Sequence, residues 1–234
     1  MSGIPLGGRS GIGTPPDLIN YPLLTNAVVH FLFEGWKVAI TTAAPPTIDE
    51  EEEQMNGALA QGIRATVEAL SLGNIEVVET PGERSDPTLR LPDTEPDVIL
   101  ILAHFDGGVM TLRAIIECKR LDPLQAPNRT LRRDYVTRGM DRFITERYGR
   151  GRQLCFMAAY VLRHDGAAAM ADVNAYLMNV GRTADCLATS PRYSQRGFVG
   201  ESSHARPDGQ PPLLLLHAFL PFTPTLADPS TNSD

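Results

Sequence analysis

Cysteine is scarce in this chain. Cys118, Cys155 and Cys186 are the three present in 234 residues, and none sits in C-x-x-C spacing. That pattern argues against a disulfide framework or a thiolate zinc site and fits a reducing compartment. The five histidines (His30, His104, His164, His204 and His217) show no metal-ligand spacing. A Walker-type Gly-Lys loop, a G-x-S-x-G elbow and zinc-finger spacing are all missing, which sets aside nucleotide-driven motors and serine hydrolases of that type. No apolar run approaches the roughly 20 residues that cross a bilayer. Leu213 to Leu216 is a core strand at most. The opening residues Met1 to Gly8 lack a basic stretch followed by an apolar core, so no secretory signal is read there. These absences lead to the expectation of a cytoplasmic protein with no membrane partner.

What is present is more pointed. The run Ala114-Ile115-Ile116-Glu117-Cys118-Lys119 begins as a buried strand and ends in a carboxylate and an ammonium. An unpaired buried ion is costly, so these charges need a purpose or a partner. Side chains at i and i+2 share one face of a strand. Glu117 and Lys119 therefore point one way and Cys118 the other. Twenty residues earlier, Pro96-Asp97 opens a second apolar run, Val98 to Leu102. If the two strands are neighbours, Asp97, Glu117 and Lys119 meet at one end of the sheet. Hard divalent cations want carboxylate oxygens, acidify a bound water and neutralise charge on a phosphate. A lysine beside them can orient or deprotonate water, or stabilise the transition state. The competing reading is a solvated salt-bridging pair preceded by an ordinary Pro-Asp turn.

Asp97 with Glu117-Cys118-Lys119 resembles the PD-(D/E)xK nuclease signature. Residues 135–148, with Tyr135-Val136, Gly139, Arg142-Phe143 and Tyr148, are similar to a bacterial group within that superfamily linked to defence islands. The likeness extends through Phe156 to Val161, Ser202-Ser203-His204 and Leu216 to Leu220, and covers roughly residues 47–222. The resemblance implies an α/β fold with a restriction-endonuclease-like core, in which helices flank a mixed central β-sheet. It implies Mg²⁺ as cofactor, with Mn²⁺ able to substitute. Asp97, Glu117 and the backbone carbonyl of Cys118 would hold the metal, and Lys119 would act on water. It also implies a glutamate from the first core helix beside the metal. Glu52 is the candidate, with Glu51 and Glu53 as alternates; otherwise the run Glu50 to Glu53 simply complements a helix dipole.

Charge is distributed unevenly. The net charge of −7 disfavours a nucleic-acid binder at first sight. Residues 111–165, however, carry twelve basic and six acidic side chains, a local balance of +6, which leaves −13 elsewhere. A basic patch next to the carboxylates is the footprint of phosphate contact. Arg132, Arg133, Arg138 and Arg142 are the candidates to grip a phosphate backbone, since guanidinium forks suit phosphate oxygens. The alternative for Arg138 and Arg142 is a solvated helix face. Tyr135 either stacks on a base or orients a phosphate, or is a core tyrosine. His204 is read in a polar loop, able to contact phosphate.

Along the chain, 1–20 reads as a flexible arm rich in Gly, Pro and Ser, 21–222 as the nuclease domain, and 223–234 as a disordered tail. Helices are expected over Thr25 to Trp36, from an Asp49 N-cap through Leu70, over 134–148, and over Ala167 to Val180. Strands are expected over Lys37 to Thr41, Ile75 to Thr80, 97–103, 111–118, Phe156 to Val161 and Leu213 to Phe219, with a hairpin near Asp106-Gly107-Gly108. The functional expectation is a metal-dependent nuclease acting on DNA, or on RNA with the same chemistry. It would be the cleavage subunit of a prokaryotic anti-phage defence or restriction system. A homodimer, or a complex with an ATPase or sensor subunit, would supply what the chain lacks. A non-catalytic subunit on the same fold is the alternative from another class.

Overall fold

The computed structural model describes residues 22–79, 96–105, 109–124, 130–206 and 210–222. The arm, the connection over 80–95, the hairpin tip at 106–108 and the tail lie outside the described residues. Seven strands form one mixed sheet: β1 (Ile75–Glu79), β2 (Val98–Phe105), β3 (Val109–Leu121), β4 (Leu154–Val161), β5 (Ala188–Thr189), β6 (Val199–His204) and β7 (Leu213–Pro221). Their order across the sheet is β1-β2-β3-β4-β7-β6-β5. The β3/β4 and β4/β7 pairings are parallel and the others antiparallel. Helices cover both faces, so the α/β fold is consistent with a restriction-endonuclease-like core. Every residue of β4 is buried, as a central parallel strand with helices on both faces must be.

On one face lie α1 (Pro22–Ile40) and α2 (Glu52–Ala69). They cross at backbone contact, because a Cβ on Gly62 would stand 1.9 Å from the Gly35 carbonyl oxygen. Trp36 donates its indole N–H to the Pro221 carbonyl at 2.9 Å and packs on the Tyr160 ring. α1 is apolar and long enough to cross a membrane, with a mean hydropathy of 1.2, a length that the apolar-run reading of the sequence passed over. In the fold it is a core helix: Val28, Val29, Phe31, Leu32 and Trp36 are buried. The expected strand over Lys37 to Thr41 is instead its last turn, where Thr41 Oγ1 donates to the Lys37 carbonyl. The branched side chains of Val38 and Ile40 favour a strand, but burial of Trp36 and Ala39 on the helical stripe overrides propensity.

On the other face lie α5 (Gly166–Asn179) and a continuous helical stretch over 131–144. That stretch comprises α3 (Leu131–Asp134), a π-helical segment at Tyr135–Met140, and α4 (Asp141–Ile144). The π segment widens where the backbone must approach the sheet closely. A Cβ on Gly139 would meet Met157 Cε at 2.5 Å and Lys119 Cγ at 3.4 Å. α5 begins at Asp165, whose carboxylate accepts from the Ala168 N–H at 2.8 Å. The N-cap of α2 is Glu51 rather than Asp49, with Gln54 Oε1 accepting the Glu51 N–H at 3.2 Å.

Candidate active site

Strand register brings the sequence candidates together. Val98 pairs with Ile116, so Asp97 stands just beyond the ladder, opposite Glu117. There β3 runs on past β2 while still paired with β4 on its other side, and its N–H at Cys118 donates to Asp97 Oδ2 at 2.7 Å. Cys118 turns its side chain into the core beneath α1 and α2, as alternation requires. Its carbonyl accepts from Lys119 Nζ at 2.7 Å.

Lys119 Nζ is the centre of the cluster. It lies 2.5 Å from Glu52 Oε1, 3.0 Å from Glu117 Oε1 and 3.8 Å from Asp97 Oδ2. Glu52 therefore belongs to the site, whereas no bond to these groups involves Glu51 or Glu53 among the described residues. Glu52 reaches the site from the first residue of α2, and its second oxygen accepts the Arg120 N–H at 3.3 Å. That turn is anchored by Tyr160, whose hydroxyl donates to Asn56 Oδ1 at 2.9 Å. It is also anchored by Arg120, which donates to the Glu50 carbonyl at 2.7 Å.

Glu117 is fully buried. Its Oε1 accepts from both Lys119 and Arg142, each at 3.0 Å, while its Oε2 has no hydrogen-bond partner among the described residues. Burial above all, then the negative charge of Asp97, push its carboxyl up to about 8, against the pull of Lys119 and Arg142. Burial likewise raises Glu52, with Lys119 opposing. Burial works against the Lys119 ammonium, yet Asp97, Glu117 and Glu52 outweigh it and hold the proton on. As it stands, Lys119 is a donor and a positive charge, not a base.

Two nucleic-acid candidates are corrected. Tyr135 is completely buried and cannot stack on a base; its hydroxyl bonds to His217 Nδ1 at 2.8 Å. Arg142 turns inward, its side chain 16% exposed, donating to Glu117 and to the Tyr148 hydroxyl at 2.7 Å and lying over the Tyr148 ring. The π segment is the reason: it breaks the i, i+4 alignment of Arg138 with Arg142. Arg138 stays at the surface, 69% exposed, beside Asp134. Arg133 is also exposed beside Asp134, and Arg132 pairs with Asp172 at 2.6 Å. His204 is not in a loop; it is buried in β6. The inward turn of Arg142 has no signal in linear spacing, because it depends on an unusual helical turn.

Among the described residues no group of three His, Cys, Asp or Glu side chains is already arranged as a metal cage; Lys119 Nζ stands between the carboxylates. The donor chemistry nevertheless fits a hard divalent ion. Three carboxylates and a main-chain carbonyl converge, and Glu117 Oε2, buried, lacks a partner among the described residues. No family model, no curated protein and no solved structure matches this chain.

Proposed function

We propose that this chain is a metal-dependent nuclease of the PD-(D/E)xK type that hydrolyses phosphodiester bonds, with DNA as substrate. The observation that carries the reading is the convergence of Glu52, Asp97, Glu117 and the Cys118 carbonyl on Lys119 Nζ at one sheet end. Asp97, Glu117 and the Cys118 carbonyl would hold Mg²⁺ or Mn²⁺, and Glu52 would complete the set. A bound ion supplies an acidified water and neutralises charge on the phosphate. The protein's own contribution lies in two cations. Lys119, kept protonated, orients the attacking water and meets charge that develops on the phosphoryl oxygens. Arg142 compensates Glu117 and fixes its rotamer. Arg133 and Arg138 are the exposed cations left to contact the phosphate backbone.

The biological setting we assign is a cytoplasmic prokaryotic defence or restriction system. The balance of −13 outside residues 111–165 opposes unaided DNA capture. A second copy or a sensor or ATPase subunit would provide it. The deciding experiment is cleavage of plasmid DNA and of RNA with Mg²⁺ or Mn²⁺, with and without neighbouring gene products. Asp97→Ala or Glu117→Ala should abolish cleavage with the fold intact. Cutting at the parental rate by either variant would overturn the metal-site assignment. One observation favours a second reading, a non-catalytic nucleic-acid-binding or scaffold subunit: Lys119 and Arg142 already compensate the carboxylates without a metal. Total absence of metal-dependent cleavage in the reconstituted complex would support it.

A further inference from the structure

A chain of hydrogen bonds leaves the helical stretch at Tyr135 and returns to it at Asp141. Tyr135 Oη meets His217 Nδ1 at 2.8 Å, and His217 Nε2 meets Ser202 Oγ at 2.8 Å. Ser202 Oγ meets His204 Nε2 at 2.7 Å, and His204 Nδ1 meets Asp185 Oδ1 at 2.8 Å. Arg182 then donates from Nε to Asp185 Oδ2 at 2.7 Å and from Nη1 to Asp141 Oδ1 at 2.8 Å. Tyr135 opens the π segment and Asp141 directly follows it. The circuit therefore brackets the π turn.

The fixed ends set the proton order. Hydrogen bonds from Arg182 and His204 hold the Asp185 carboxyl below its usual range against partial burial, so it accepts and His204 Nδ1 donates. Burial keeps His204 and His217 neutral and Tyr135 protonated. His204 Nε2 must then accept from Ser202, Ser202 must accept from His217 Nε2–H, and His217 Nδ1 must accept from Tyr135. Each donor finds one acceptor along the whole run. Ser202, His204 and Asp185 have the contacts of a nucleophile–base–acid triad, but Ser202 is buried and its oxygen is engaged by His217. The set is a support and not a second hydrolytic centre.

We infer that this circuit is a clamp on the π turn, and that Tyr135, His217, Ser202, His204, Asp185, Arg182 and Asp141 are positioning residues for the carboxylate site. The π turn does two things there. Gly139 places the backbone against the Lys119 stem, and Arg142, next to Asp141, holds Glu117. If the turn relaxes to an ordinary α-helix, both contacts shift. The kinetic consequence rests on the nuclease reading; the clamp itself does not.

The test pairs amide hydrogen exchange with kinetics on the full chain. Arg182→Met cuts two links at the partly exposed end, where folding is least at risk. His217→Leu cuts the buried middle, and His217→Gln keeps a donor and an acceptor. Both cuts should speed exchange over 135–142 by about tenfold or more while β4 stays protected. Plasmid cleavage should lose about 10- to 100-fold in kcat with KM little changed, and His217→Gln should recover most of it. Long-range nitrogen–proton spectra should show His217 protonated at Nε2 and His204 at Nδ1. Unchanged exchange over 135–142 in Arg182→Met, or the opposite tautomers, overturns the clamp. A wild type that cuts neither DNA nor RNA, even with its neighbouring gene products present, overturns the nuclease reading alone, and the exchange pattern still decides the clamp.

Discussion

Arg142 donates to Glu117 Oε1 at 3.0 Å from a helix whose neighbouring arginine, Arg138, faces solvent. One of these residues touches the carboxylate cluster and the other is open to solvent. The two substitutions should therefore separate chemistry from binding.

Arg142→Ala should lower cleavage by at least ~10²-fold, the scale of a lost charge-stabilising group, and leave the salt dependence of DNA affinity unchanged. Arg133→Ala with Arg138→Ala should do the reverse, flattening the slope of log affinity against log salt by about 2 at most. Affinity measured at several salt concentrations decides it; a flatter slope in Arg142→Ala would return that residue to the phosphate contacts.

Lys119→Ala should keep metal binding measurable by calorimetry while costing at least ~10²-fold in rate. Equal loss of metal affinity and turnover would make Lys119 a structural counter-ion only.

Glu117→Gln should reveal the cost of burying a carboxyl. The folded protein holds a proton on Glu117 up to about pH 8, while its ordinary value is 4.5. Between those values the folded state binds the extra proton, so metal-free stability is full below 4.5 and declines as pH rises through 8. Glutamine mimics the protonated acid. Melting temperatures of the two proteins should be close near pH 4, and the variant should become progressively the more stable as pH rises from 4.5 to 8 and stay so at pH 9. A wild type that matches the variant at pH 9 would contradict this.

Acid should weaken the protein through the histidines of the clamp. Burial first, then the nearness of His204, push His217 down to about 3, and burial lowers His204 despite Asp185. The unfolded chain takes up these protons near pH 6.5, the folded protein only below it, and at His217 only at about 3. Stability present above pH 6.5 is lost as pH falls, by up to ~1.4 kcal/mol per pH unit for His217. Urea unfolding from pH 7 to pH 4 should show a shallower loss in His217→Gln, and an equal loss would refute the assignment.

Gly62→Ala should cost ~3 kcal/mol or more, because the new methyl would sit 1.9 Å from a backbone oxygen of α1 and only a helix shift can relieve it. Denaturant melts test this, and a loss below ~1 kcal/mol would mean that the helices separate easily.

The carboxylate site was legible because its parts lie on apolar strands with period-2 spacing, so Asp97, Glu117 and Lys119 could be placed from sequence alone. Glu52 was legible through the resemblance, which implies a glutamate from the first core helix beside the other carboxylates. β6 was not. Ser202, Ser203 and His204 read as a polar loop, since a strand is recognised by apolar alternation. Here the inward positions Ser202 and His204 are polar and satisfy each other, which no local pattern reveals. The strand assigned to Lys37 to Thr41 failed for the opposite reason, local propensity yielding to the packing of Trp36. The π turn had no sequence signal, and with it went the direction of Arg142.

Cys118 serves the site with its main chain and the core with its side chain. Its N–H seats Asp97 and its carbonyl faces Lys119, and both are services that any residue but proline can render. Position 118 is thus open to drift among small apolar residues, whereas 97, 117 and 119 are not. Descendants of this chain would keep the cluster while the letter between its acid and its lysine drifts among small apolar residues.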